Sequence, residues 1–234
     1  MSEQTITITI DGKEVKGVPG QTIMEVADAA GVYIPRLCFL KGLTPHGSCR
    51  VCVVNVNGRP QTSCTQPIAN GMTVENDTEE IKQLRKDIID MLFVEGNHYC
   101  SFCEKSGNCE LQAVAYRLGI TAPKYPYQFP NKEIDATHPD IFLDLNRCIL
   151  CARCIQTSRD VDGKTVFEFV NRGPEKKISV NADAKLSDTD LDVMDKAVDA
   201  CPVGAILKKR VGFAVPVGKR LYDKEPIGSE IEKE

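Results

Sequence analysis

No stretch of the sequence approaches the roughly 20 consecutive apolar residues that a membrane-spanning helix needs. Neither sign of charge predominates: 33 acidic residues stand against 29 basic ones, for a net charge of -4. The first absence predicts a soluble chain without direct membrane insertion. The second removes the usual electrostatic argument for binding nucleic acid or an anionic membrane surface. The N-terminus, Met1 to Ile10, lacks a basic segment and a small-residue cleavage site and alternates Thr with Ile. It therefore reads as a strand and not as a signal peptide, and the chain as cytoplasmic. Missing as well are a Gly-x-Gly-x-x-Gly fingerprint and a phosphate-binding loop, so no dinucleotide site, and no catalytic site of its own, is expected here.

What the sequence has in excess is cysteine, with 11 in 234 residues. A disulfide framework would leave one thiol over, in a chain that is neither short nor visibly secreted. Eleven thiols also exceed what a cytosolic protein uses as small hydrophobes. Metal binding is the remaining reading, and the spacings decide which metal.

Strict alternation places Ile6, Ile8 and Ile10 on one face of a strand, and Asp11-Gly12 turns it into a second one. Thr22 and Glu25 form a capping box for a short helix with Ile23, Val26, Ala27 and Ala30 on its apolar face, stopped by Gly31. A hairpin followed by a helix predicts a β-grasp. Val51 to Val56 is a further strand, reversed by Asn57-Gly58, and a small mixed sheet is complete by about Val74. Asp77, with Glu80 at the third helical position, is expected to cap a helix whose stripe is Ile81, Leu84, Ile88 and Leu92 and which ends near Gly96. Another helix starts around Cys109, carries Leu111, Val114, Ala115 and Leu118, and stops at Gly119. Four prolines between Thr121 and Pro139 exclude a regular element there. Strands are expected at Ile141 to Leu145 and Thr165 to Val170, and a helix at Leu191 to Ala200 entered through Ser187 or Asp188. The tail beyond Leu207 mixes basic residues, Gly and Pro, and reads as disordered or as an arm ordered by a partner. The expected fold class is α+β, with boundaries at 1–77, 78–120, 121–209 and 210–234.

Cys38, Cys49, Cys52 and Cys64 form a C-x10-C-x2-C set closed by a fourth cysteine at a strand end. Loops containing Gly47 and Ser48 offer backbone N–H groups to cluster sulfurs. The competing reading is a zinc ribbon, although the ten-residue gap breaks its paired C-x2-C pattern. Cys148, Cys151 and Cys154 recur at three-residue intervals, and a remote Cys201-Pro202 supplies a fourth ligand, the pattern of one [4Fe-4S] cubane. Ser158 stands where a two-cluster ferredoxin would carry another cysteine, so Cys201 is expected to close this same set. Cys100, Cys103 and Cys109, the second set in chain order, are one ligand short. Arg50, Lys105, Arg147 and Arg153 flank these motifs as candidates for raising cluster potentials or as solvated surface.

Ile34-Pro35…Cys38, Gly47-Ser48-Cys49-Arg50-Val51-Cys52 and Cys64-Thr65 resemble the [2Fe-2S] module of the large iron–sulfur subunit of respiratory NADH dehydrogenase and of many hydrogenases. In those relatives a histidine completes the set that is short of a ligand. His98 is the only histidine nearby, so the resemblance implies His98, Cys100, Cys103 and Cys109. The spacing departs from the commoner pattern: three residues separate histidine from cysteine there, whereas only Tyr99 intervenes here and Gly96 holds the usual position. Without the resemblance, His98 reads as a residue offsetting the dipole at a helix C-terminus. His46 and His138 read as surface or loop residues.

The likeness runs from the first strand to Ile206. The short form with three clusters is most similar to the small diaphorase iron–sulfur subunit family of NAD-reducing (bidirectional) [NiFe]-hydrogenases, and Arg210 to Gly218 adds to the match. The resemblance implies a β-grasp [2Fe-2S] module, a small helical His/Cys module and a ferredoxin-like [4Fe-4S] module, hence one [2Fe-2S] and two [4Fe-4S] clusters. Because iron–sulfur clusters pass single electrons while NADH and H2 deliver two, a converting centre is expected on other polypeptides. The resemblance implies an FMN-containing, NADH-oxidising diaphorase subunit on one side and the hydrogenase small and large subunits, with their Ni-Fe centre, on the other. An equivalent relay subunit of another NAD-linked enzyme, such as a formate dehydrogenase, and a zinc-stabilised assembly scaffold stay open at this point.

Overall fold

The computed structural model describes residues 5–181 and 185–233; the first four residues of the expected N-terminal strand region, and Glu234 of the tail, lie outside them. β1 (Ile6–Ile10) and β2 (Lys13–Gly17) pair as the expected hairpin. Asp11 and Gly12 both take left-handed backbone angles (φ 48° and 80°), matching the twist of the flanking strands. Thr22 caps α1 (Ile23–Ala29) reciprocally: its hydroxyl accepts from the Glu25 N–H and the Glu25 carboxylate accepts from the Thr22 N–H. β3 (Val53–Val56) and β4 (Arg59–Thr62) form a second hairpin over Asn57-Gly58. β5 (Thr73–Glu75) then runs parallel to β1 and antiparallel to β3, giving the mixed order β2-β1-β5-β3-β4. The helix packed on this sheet makes it a β-grasp.

α2 (Glu79–Glu95) is shifted from expectation. Its cap is Thr78, whose hydroxyl accepts from the Ile81 N–H, while Asp77 pairs with Lys82. The buried stripe is Ile81, Arg85, Ile89 and Phe93, with Leu84, Ile88 and Leu92 only half-buried. The four-residue period holds, but one of its members is an arginine, which an apolar pattern passes over. α3 (Glu110–Arg117) buries Leu111, Val114 and Ala115 and stops at Gly119 with φ 74°. The proline-rich segment wraps α2: the Gln128 N–H donates to the Val94 carbonyl and Asn97 to that of Pro130.

The last third contains β6 (Ile134–Asp135), β7 (Ile141–Asp144), α4 (Arg153–Asp160), β8 (Phe167–Val170), β9 (Lys177–Val180), α5 (Lys196–Asp199) and β10 (Ile206–Lys208). They make a three-stranded sheet β10-β7-β6 and a hairpin β8-β9. The helix expected over Leu191 to Ala200 is only the single turn of α5, and Ser187 and Asp188 lie in a separate 3-10 turn. Aspartates explain the difference: Asp192 and Asp195 accept from the N–H groups of Met194 and Asp192, and Asp162 accepts from those of Lys196 and Ala197. Such side-chain acceptors compete with helix hydrogen bonds.

The tail is held against the body of the chain. The Tyr222 N–H donates to the Gly107 carbonyl, Leu221 to Asn108, and Arg117 to the Ile227 carbonyl, with Ile227 buried ahead of α6 (Ser229–Glu232). Val211, Phe213, Val215 and Val217 remain exposed on it.

Packing yields two apolar cores. One lies under the five-stranded sheet and includes Ile8, Ile23, Val54, Cys52 and Cys64. The other runs through the remainder and includes Cys38, Cys49, Cys109, Cys151, Cys154 and Cys201.

Candidate iron–sulfur centres

The first set is held on three loops: Cys38 beyond α1, Cys49 and Cys52 ahead of β3, and Cys64 after β4, all buried. Left-handed Gly47 and Arg50 curl the middle loop. The Cys38 N–H donates to the Cys49 sulfur over 3.4 Å. Hydrogen bonds among the four sulfurs divide the protons unequally. Those from Cys49 and Cys64 hold Cys38 well below the usual thiol range, and one from Cys64 brings Cys52 down to about 6. Cys49 and Cys64 are pushed up by sharing protons with Cys38 and by burial. Four thiols in hydrogen-bonding contact, two of them biased to thiolate, are a donor set suited to a cationic centre.

The third set surrounds one apolar cavity: Cys148, Cys151, Cys154 and Cys201 line it together with Leu143, Ile149, Ile178 and Val203. Leu150 and Ala152 take left-handed angles (φ 53° and 66°), which wrap the three-residue repeats around the space. Burial pushes Cys148 up to about 11 and Cys151 and Cys154 further up. An apolar pocket of thiols resists their ionisation unless a metal centre takes their charge. Ser158 serves the local backbone instead, its hydroxyl donating to the Lys164 carbonyl and accepting from the Val166 N–H.

In the second set Cys100 opens a 3-10 turn, Cys103 closes it and Cys109 caps α3. Burial raises Cys100, and pushes Cys109 up to about 12. His98 and Cys100 face one cavity, also lined by Phe93, Gln112 and Tyr127. The imidazole sits edge-on to Phe93 at 5.7 Å, and among the described residues its buried Nε2 has no partner. Burial lowers its pKa to about 4, so it is neutral and able to donate a lone pair. A Cβ placed on Gly96 would lie 2.6 Å from that Nε2 and 3.0 Å from the Asn146 carbonyl. The ring of His98 thus fills the space into which a side chain at position 96 would project, which gives the shortened spacing a physical meaning.

His138 is a loop residue but not a surface one. It is buried, its Nε2 bonded to the Leu191 carbonyl and its Nδ1 accepting from the N–H groups of Asp140 and Ile141, so it organises a turn. His46 is exposed. The four sulfurs of the third set surround one apolar cavity. Sulfurs arranged around a cavity fit a cluster better than one tetrahedral zinc.

Contacts that sequence reasoning missed join the sets. The Glu110 N–H, next to Cys109, donates to the Pro202 carbonyl, next to Cys201. Arg153, next to Cys154, donates to the Leu37 carbonyl, next to Cys38, and pairs with the Glu110 carboxylate at 2.7 Å. Gly204 lies against Cys103: its Cβ would be 2.8 Å from that sulfur. The only advance signal was adjacency of these residues to ligands, which does not give their direction.

The β-grasp, the helical segment and the ferredoxin-like end correspond to three families in succession. The 2Fe-2S iron-sulfur cluster binding domain matches residues 3–79, the NADH-ubiquinone oxidoreductase-G iron-sulfur binding region 85–124, and the ferredoxin-like domain of NADH-quinone oxidoreductase subunit 3 residues 138–207. The class is therefore a modular iron–sulfur protein, with one 2Fe-2S domain followed by 4Fe-4S-binding regions. The gamma subunit of the NAD-reducing hydrogenase HoxS of Cupriavidus necator is 43% identical over 225 residues, 95% of each chain. A chain of the crystal structure of NAD+-reducing [NiFe]-hydrogenase in the H2-reduced state superimposes with a TM-score of 0.91 at 45% identity, over 94% of each chain. The NADPH-Fe(3+) oxidoreductase subunit alpha of Geobacter sulfurreducens is 33% identical over 89% of this chain, but over only 24% of its own length. The chain belongs to the family of NAD-reducing hydrogenase gamma subunits.

Proposed function

We propose that this chain is the electron relay of an NAD-reducing hydrogenase, joining an FMN-containing NADH-oxidising subunit to the hydrogenase small and large subunits (H2 + NAD+ = NADH + H+). The observation that carries this reading is that the three ligand sets are in direct hydrogen-bonded and van der Waals contact through their neighbouring residues. Cys38, Cys49, Cys52 and Cys64 would hold one [2Fe-2S] cluster. His98, Cys100, Cys103 and Cys109 would hold one [4Fe-4S] cluster, and Cys148, Cys151, Cys154 and Cys201 a second. When bound, these clusters supply one-electron oxidation and reduction.

The chain's own residues bury the sulfurs, supply N–H donors and set the order. The third set touches the first through Arg153 and Leu37 and the second through Pro202, Gly204 and Cys103, so the favoured sequence is first, third, second. Among the described residues no helix is long and apolar enough to cross a membrane, and we place the complex in the cytoplasm. The test is anaerobic purification of the native complex. Iron and acid-labile sulfide for one [2Fe-2S] and two [4Fe-4S] clusters, with NAD+ reduction driven by H2 and not by formate, is the expected result. A colourless, zinc-loaded chain or turnover with formate alone would overturn it.

A further inference from the structure

Arg85 projects from α2 toward the start of β3 and the chain just beyond β5 and is 3% exposed. Its Nε and Nη2 donate to the Val53 carbonyl (3.1 and 2.6 Å), Nη1 donates to the Asn76 carbonyl (3.0 Å), and Nη2 also to the Asn76 side-chain oxygen (2.7 Å). Four of the five guanidinium N–H groups are thus used on neutral acceptors, and among the described residues no carboxylate forms an ion pair with it. Asp77 pairs with Lys82 instead, and Asp11 accepts from the N–H groups of Asn76 and Asp77. A guanidinium buried without an anion is strongly destabilising.

Burial brings the Arg85 pKa down to about 10, and Cys52 beside it is itself buried at 1% exposure. Val53, which accepts two of its hydrogen bonds, directly follows Cys52 in the chain. A set of four thiolates around two irons and two sulfides is anionic in both oxidation states, and more so when reduced.

We infer that Arg85 is the counter-cation of the first cluster: the anion at Cys52 balances its buried charge, and its charge favours the reduced form of that centre. The inference rests on the assignment of a [2Fe-2S] cluster to Cys38, Cys49, Cys52 and Cys64. It also gives α2, which lies outside the β-grasp, a direct electrostatic hold on the β-grasp centre. A competing role is mechanical, with the guanidinium fork clamping α2 to β3 through carbonyl groups.

Arg85→Lys, Arg85→Gln and Arg85→Met in the full chain separate the two. Lys keeps the charge and loses the fork; Gln and Met lose the charge. The readout is the midpoint potential of the [2Fe-2S] signal, followed by electron paramagnetic resonance during redox titration, alongside the unfolding midpoint. The expected result is that Gln and Met shift that potential to more negative values or fail to retain the [2Fe-2S] signal, while Lys stays near the unsubstituted chain. Unchanged potentials in Gln and Met, or equal failure of Lys, Gln and Met to assemble the centre, would assign Arg85 to clamping and overturn the inference. A missing [2Fe-2S] signal in the unsubstituted chain would instead refute the cluster assignment itself.

Discussion

Gly204 belongs by sequence to the Cys201-Pro-Val-Gly segment of the third set, yet its missing side chain matters to the second. A Cβ there would meet the Cys103 sulfur at 2.8 Å and the Cβ of Lys105 at 3.4 Å. Non-bonded contact between heavy atoms is comfortable at roughly 3.5–4.0 Å, so Gly204→Ala requires displacement by about 1 Å. Metal–ligand distances tolerate only ~0.2 Å, and overpacking a filled core costs about 1–3 kcal/mol. If Cys103 yields, the second set loses a ligand; if the turn ahead of β10 yields, stability drops by that amount. Iron and sulfide analysis, paramagnetic resonance of the reduced chain and denaturant unfolding read the outcomes. The expected result is loss of the [4Fe-4S] signal assigned to His98 and Cys103, with that of Cys148, Cys151, Cys154 and Cys201 retained. A Gly204→Ala chain with a full complement of iron, unshifted signals and an unchanged unfolding midpoint would refute the reasoning.

His98→Ala should abolish that same signal and spare the others, and Gly96→Ala should imitate it, because the new methyl group takes the place of the imidazole; retention of all signals in both would sink the ligand assignment. The Arg153–Glu110 pair is buried at Arg153 (5% exposed side chain), so Arg153→Met should destabilise the chain by about 3–5 kcal/mol. Glu110→Gln, which removes a negative charge beside two sets, should move their potentials in the positive direction; a negative shift would contradict the pairing. Acid offers a further check. The imidazole of His98 protonates near 6.5 in an unfolded chain but at about 4 when buried, so its contribution to stability is whole above about pH 6.5 and is lost as pH falls toward 4. Loss of the [4Fe-4S] signal assigned to His98 with a midpoint already near 6.5 would show an exposed ring and exclude the buried site.

Part of the site was legible in the sequence because iron–sulfur ligands come with spacing rules: Cys148, Cys151, Cys154 and Cys201 line one cavity, and Cys38, Cys49, Cys52 and Cys64 neighbour one another. Asp11-Gly12, Asn57-Gly58 and the Thr22–Glu25 box were equally readable, since each fixes backbone angles or hydrogen bonds within a few residues. The misses share a different cause. Arg85 occupies a core position that apolar patterning assigns to Leu or Ile, which displaced the stripe of α2. Asp162, Asp192 and Asp195 replaced a helix with turns through side-chain acceptors, one of them more than thirty residues away. The ordering of the tail depends on Tyr33, Gly107 and Arg117, contacts too distant in sequence to predict from the tail itself.

The two apolar cores divide the chain differently from its motifs. Cys38 and Cys49 belong to the core shared with the helical and ferredoxin-like parts, whereas Cys52 and Cys64 belong to the core of the β-grasp. The first ligand set is therefore a seam with two stitches on each side. Filling it should make the two cores melt together and emptying it should let them melt apart, so a count of calorimetric transitions that does not change on loading would contradict the seam.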